Sequence, residues 1–225
     1  HGYPRVVRAR YWMDVDVGAS VSARDDTATG GLRRLDAGVR LFDAVFTVAA
    51  LVLVGTIEPD GTPNLAPKHM AMPIGWSDRY CFACTPRHGT HVNAERSGVF
   101  TVSYPTPDQA VLVGQPAAER SAGGARGELA ALQTVPASEV DGVLVAGAHA
   151  ALECRLDRIV EDIDDASLLI GRIVAAHASP LALRAHDRDD ADVVHGQPLL
   201  AYVTPGRLSR IDRTTAFPYP ARFSV

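Results

Sequence analysis

Two short segments carry most of the side chains in this chain that could do chemistry. The first is Asn64-Leu65-Ala66-Pro67-Lys68-His69-Met70-Ala71-Met72 and the second is Thr85-Pro86-Arg87-His88-Gly89-Thr90-His91-Val92-Asn93. The second holds one guanidinium, two threonine hydroxyls and the start of a predicted helix. That is the equipment for a phosphate monoester: charge-assisted bonds, backbone N–H groups and a favourable helix dipole. The first offers backbone groups left free by prolines, one cation and flexible methionines, which suit a flat, partly polar ring system. Together they point to a phosphorylated aromatic ligand. A surface turn followed by an ordinary helix cap would use the same residues. Lys68 stands out because it is the one lysine among 22 basic residues.

Other constellations are weaker. In a strand, the spacing of Cys81-x-x-Cys84 puts the two thiols on opposite faces, so both read as packing residues. His88-x-x-His91 would need a third ligand such as His69 to hold a metal, and no metal is expected. The Asp-rich stretch 187–192 lacks the spacing and glycine of a calcium loop. Gly123-Gly124-Ala125-Arg126-Gly127 does not follow a strand and is not a dinucleotide fingerprint. There is no nucleophile elbow and no P-loop.

The whole chain sets the frame for these segments. With 225 residues, 47% hydrophobic and 21% charged, it is an ordinary globule. A mass of 23.9 kDa allows roughly 70% of the unfolded surface to be buried, enough for one real core. A net charge of −4 leaves no basic excess for a nucleic-acid backbone. Three cysteines make no disulfide framework, there is no signal-peptide pattern, and the longest apolar run falls far short of the ~20 residues of a membrane span. These features give the expectation of a cytoplasmic protein with no membrane or nucleic-acid partner. The first residue is His1 and not Met, so the start is expected to be processed or trimmed.

The elements that must position the two segments read mostly as strands. Residues 1–40 form a turn-rich lead-in, with a short strand at 6–12, and residues 41–225 form the main domain. Leu32, Leu35, Val39, Phe42 and Val45/Phe46 recur at helical spacing and predict a helix over 32–46. Residues 48–57, apolar and rich in β-branched side chains, predict a strand buried on both faces. Glu58-Pro59-Asp60-Gly61 is a turn. The return segment 62–72 carries Pro63 and Pro67, with Pro73 just beyond, and must be an edge or bulged strand. A strand at 79–85 follows, then a helix at 91–97 with Thr90 as N-cap and Gly98 as terminator, then a strand at 99–104. Helical pieces are expected at 108–114, 127–132 and 138–140. Two strands, 150–163 and 167–177, flank an acidic turn; 184–196 reads as an exposed loop; a last strand covers 199–203. Six or seven strands, mostly antiparallel, make a mainly β protein: a small barrel with α additions.

In order and spacing these residues resemble the flavin reductase-like family of FMN-binding split barrels. The matching pieces are residues 53–61, Asn64-x-x-Pro67, Arg87-x-x-Thr90-x-x-Asn93, Gly98-x-Phe100-x-Val102, Leu152-Glu153-Cys154-Arg155, Gly171-Arg172-Ile173-Val174-Ala175-Ala176-His177 and Pro198-Leu199-Leu200-Ala201-Tyr202. The resemblance implies a Greek-key split barrel that forms a homodimer, with one FMN per subunit near the dimer interface. It implies that Arg87, Thr90 and Asn93, with Thr85, lie around the phosphate or ribityl chain. It places Ala66, Pro67, Lys68, His69 and Met70 beside the isoalloxazine ring, and Asn64 is a further candidate for binding the cofactor. The implied activity is an FMN-dependent oxidoreductase in which NADH or NADPH reduces flavin or one small substrate. Lys68 would sit by N1 and C2=O or else pair with the phosphate, and His69 would donate a proton near N5 or to substrate or else serve as a hydrogen-bonded structural histidine. A non-catalytic flavin-binding module, or a barrel holding haem or a deazaflavin, are the alternatives. Family members commonly have Ser at the position of His69, an aromatic residue at Lys68 and Asn at Ser103.

Overall fold

Both faces of one central strand are covered, and this sets the layers of the molecule. Val52 and Val54 lie in one apolar cluster with Tyr80, Phe82, Phe100 and Leu169, while Leu51 and Leu53 lie in a second with Leu65, Val145 and Leu200. The computed structural model describes residues 32, 34–35, 38–39, 41–110 and 132–218. The expectations for 1–31, 6–12, 111–114, 123–127 and 127–131 lie outside the described residues.

Among the described residues the order begins with α1 (Leu41–Ala44), β1 (Thr47–Ala50), β2 (Val52–Ile57), β3 (Pro63–Lys68), β4 (Ala71–Ile74), β5 (Arg79–Cys84), α2 (Gly89–Ser97) and β6 (Val99–Tyr104). It continues with a 3-10 turn (Pro107–Gln109), β7 (Thr134–Pro136), β8 (Val143–Val145), β9 (Ala150–Ile163), β10 (Ala166–Ala178), α3 (Asp190–Gly196), β11 (Leu199–Thr204) and β12 (Arg207–Ile211). Seven strands form one sheet in the order β3-β2-β6-β9-β10-β5-β4, with smaller sheets β1-β11-β12 and β7-β8. Every pairing is antiparallel.

The strand order forces the sheet to curl. β3 and β4 are its two edges, yet only His69 and Met70 separate them in sequence. The edges must therefore meet at one corner, which makes the sheet a half-barrel. The corner is sealed where the Ala83 N–H donates to Met70 O at 2.8 Å. Pro63 and Pro67 sit on one edge and Pro73 on the other, where a missing ladder donor costs little. The mainly β split barrel with short helices agrees with the expected fold.

Several local expectations need correction. The run 48–57 is two strands: its first part, within β1, leaves the main sheet to pair with β11, and Val48 is 68% exposed. The helix predicted for 32–46 is reduced, among the described residues, to the single turn of α1. Gly38 sits at φ +91°, which breaks the run, and Leu32, Phe42 and Phe46 are exposed while Leu35 and Val39 are only half-buried, so the periodic face finds little to bury against. The helical piece expected at 108–114 opens with a 3-10 turn at Pro107–Gln109 and is helical at Ala110. Ser138–Val140 is not helical, because its N–H groups bind a carboxylate instead. The expected loop 184–196 ends in α3, whose N-cap Asp189 accepts from the Ala191 N–H at 2.7 Å; Asp190 and Asp192 in its first turn favour the positive end of the helix dipole. The strand count among described residues is twelve, above the six or seven expected.

The carboxylate that holds 138–140 is Glu153 of β9, which has no exposed surface. It accepts from Ser138 N (2.9 Å), Ser138 Oγ (2.8 Å), Glu139 N (2.6 Å) and Val140 N (3.1 Å), and His177 Nε2 lies 2.7 Å away. Burial opposes its ionisation. The donors outweigh burial and hold the carboxyl at about 2.

Candidate flavin site

The tight turn after β2 sets the register of the first segment. Gly61 takes φ +85°, and its N–H donates to Glu58 O at 3.0 Å. β3 then pairs with β2, placing Asn64 opposite Thr56 and Lys68 opposite Val52. The second segment is launched from the end of β5 into α2. His88, not Thr90, is the N-cap, and no side chain caps the helix. Gly98 closes it in the left-handed conformation at φ +72°.

One contact joins the two segments directly, and two more tie the first segment to the end of β5 from which the second is launched. Asn64 Nδ2 donates to Thr90 Oγ1 at 3.4 Å, Lys68 Nζ donates to Cys84 Sγ at 3.2 Å, and the Ala83 N–H donates to Met70 O. Asn64, Thr90 and Asn93 are buried and converge on Thr56, whose Oγ1 accepts from Asn64 Nδ2 and from Asn93 Nδ2, each at 3.3 Å. This polar knot fixes the first turns of α2 against β2 and β3. Thr90 is the second residue inside the helix, and its hydroxyl accepts from Asn64. Arg87 stands outside the knot. It is exposed and has no ion-pair or hydrogen-bond partner among the described residues. Thr85 is half-buried beside it in sequence.

On the other side, Ala66 is buried, Pro67, Lys68 and His69 are half-buried, and Met70 is exposed. The His69 ring stacks on Tyr202 of β11, with centroids 4.4 Å apart and planes at 19°. Burial, helped by the Lys68 charge, lowers the His69 pKa, so its imidazole is neutral at neutral pH. His88 is exposed, whereas His91 is buried with neither ring nitrogen hydrogen-bonded. Among the described residues no three His, Cys, Asp or Glu side chains are grouped to hold a metal. The three cysteines are free and buried. Tyr80, Phe82 and Cys84 share one cluster that excludes Cys81, as the opposite-face reading requires.

Thr56, Cys84 and Tyr202 hold the site together, yet sequence reasoning gave none of them a role there. Asn64 lies eight residues from Thr56, and a register across the tight turn at 58–61 would have revealed that pair. Tyr202 carried no local signal.

The flavin reductase like domain family matches residues 47–202, well over half of the chain. The chain belongs to that family. These residues form a flavin reductase-like domain. Flavoredoxin of Desulfovibrio vulgaris (Miyazaki F) shares the fold, with a TM-score of 0.67 at 20% identity, covering 84% of this chain and 99% of that one. The 2-nitrobenzoate 2-nitroreductase of Pseudomonas fluorescens has a TM-score of 0.67 at 17% identity over 79% and 87% of the two chains. The NADH:FAD oxidoreductase of Streptomyces globisporus has 0.58 at 17% over 73% and 86%. An uncharacterized protein of Methanothermobacter thermautotrophicus is 28% identical over 128 residues, which is 55% of this chain and 60% of that relative's length. Among the described residues of this flavin reductase-like chain, no helix is long and apolar enough to cross a membrane.

Proposed function

We propose that this chain binds FMN between its two segments and works as an FMN-dependent oxidoreductase, with NADH or NADPH as reductant and flavin or a small molecule as acceptor. The observation that carries the reading is the unused donor set next to the polar knot: an exposed, unpaired Arg87 at an α2 N-terminus that no side chain caps. A phosphate monoester supplies the acceptors that this set lacks. The donor set suits one phosphate, which favours FMN over a dinucleotide.

Bound FMN would supply hydride transfer. The chain's residues bind and orient it. Arg87 and the first N–H groups of α2 hold the phosphate, with Thr85 alongside. Thr90, Asn64 and Asn93 keep α2 in place through Thr56. Ala66, Pro67 and Met70 border the ring, and Lys68 puts a positive charge by N1 and C2=O. Neutral His69, steadied by Tyr202, offers one N–H and one acceptor at the N5 side or to substrate. Exposed Leu41, Phe42, Phe46, Val48, Met70 and Met72 support a homodimer that covers this apolar surface. Free, buried cysteines suit a reducing cytoplasm.

Arg87→Ala weakens FMN by about 1.5–3 kcal/mol, the scale of a hydrogen bond to a charged group, while riboflavin, which lacks the phosphate, binds parent and variant alike. Fluorescence titration of both flavins, on protein whose solution mass is that of two chains, makes the comparison. Unchanged FMN affinity removes Arg87 from the phosphate, and a one-chain mass with FMN bound removes the dimer.

A further inference from the structure

The lysine of this chain ends against a cysteine. Lys68 Nζ donates to Cys84 Sγ at 3.2 Å, and each residue is the last of its strand, β3 and β5. The pair therefore closes the corner where the two edges of the half-barrel meet. Cys84 is 3% exposed, and half-buried Lys68 is its link to the surface. Peroxide oxidises cysteine sulfur, and here the only lysine amine of the chain already lies against that sulfur. Lys68 does not reach the other two thiols. Burial pushes the Cys81 thiol up, and burial with the Glu153 charge pushes Cys154 up to about 12.

We propose that Lys68 and Cys84 form an oxidative cross-linking site, at which hydrogen peroxide oxidises the thiol and the lysine amine then bonds to sulfur. In the first step sulfur takes one peroxide oxygen. The O–O bond breaks, the thiol becomes a sulfenic acid, and one water leaves; sulfur gives up two electrons and peroxide accepts them. In the second step the ammonium releases a proton to solvent and the free amine attacks sulfur. The S–N bond forms, the S–O bond breaks and a second water departs, with no further oxidation. The amine is already in van der Waals contact with the sulfur, so little approach is needed. A dithiol reverses the link by attacking sulfur, which returns the amine and leaves the dithiol as a disulfide.

The cross-link cancels the positive charge of Lys68. Its consequence for flavin rests on the function proposed above, whereas the link itself does not. The test treats the purified full chain with hydrogen peroxide, digests it without reductant and maps the peptides by mass. The expected product joins the Lys68 peptide to the Cys84 peptide with the loss of two hydrogens, and dithiothreitol restores both peptides. Lys68→Met and Cys84→Ser each abolish the product, and in Lys68→Met the Cys84 thiol proceeds to sulfinic acid. Lys68→Met changes a half-buried side chain and keeps the test usable if Cys84→Ser fails to fold. The proposal is overturned if Cys84 of the parent stays unmodified, ends as an unlinked sulfenic or sulfinic acid, or pairs with Cys81 or Cys154. If the link forms while FMN affinity and midpoint potential stay unchanged, the cross-linking site stands and Lys68 leaves the flavin ring.

Discussion

Glu153→Ala lowers the folding free energy by about 3–5 kcal/mol, the cost of removing one side of a fully buried charged network. Four donors from Ser138, Glu139 and Val140 lose their acceptor, and His177 loses its partner. For a chain of this length the melting temperature falls by roughly 10 °C. The pH dependence has a definite sign. The folded carboxyl titrates at about 2, below its ordinary 4.5. Its contribution is therefore present above pH 4.5 and drains away as the pH falls from 4.5 towards 2. Parent and Glu153→Gln, melted side by side across that window, should differ most at neutral pH and converge in acid. A Glu153→Ala protein that melts with the parent would show that residues 138–140 are not anchored by this carboxylate.

Thr56→Val costs about 2–4 kcal/mol although the two side chains have nearly the same shape. The Asn93 amide is left without its acceptor in a fully buried setting, and Asn64 keeps only Thr90. The effect should reach the ligand as well. These amides hold the first turns of α2; on the function proposed above the helix N–H groups and the preceding Arg87 would meet the phosphate, so FMN binding should weaken together with stability. Thermal melts and FMN titration on the same preparation test this. A variant with the parent's melting temperature and FMN affinity would mean that the knot positions nothing.

How much of this was legible depends on the range of the interactions involved. Prolines 63, 67 and 73 marked the sheet edges because the lost donor is a property of the residue itself. Glu58-Pro59-Asp60-Gly61 and Gly98 marked a turn and a helix end for equally local reasons, and the two candidate segments were visible as concentrations of residue chemistry. The sequence also set β2 as a strand buried on both faces. Its upstream limit at Leu51 was hidden, because Thr47–Ala50 keeps the same apolar character while pairing with β11. The helix expected over 32–46 had the right periodicity but only a partly covered face among the described residues. Only the curled sheet decided which groups meet. It set Lys68 on Cys84, His69 on Tyr202, Asn64 and Asn93 on Thr56, and residues 138–140 on Glu153. Asn64 on Thr56 follows from the register across the hairpin turn at 58–61. The others join residues distant in sequence, through strand register or, for Lys68 on Cys84, the corner where the sheet edges meet, and no local propensity encodes them.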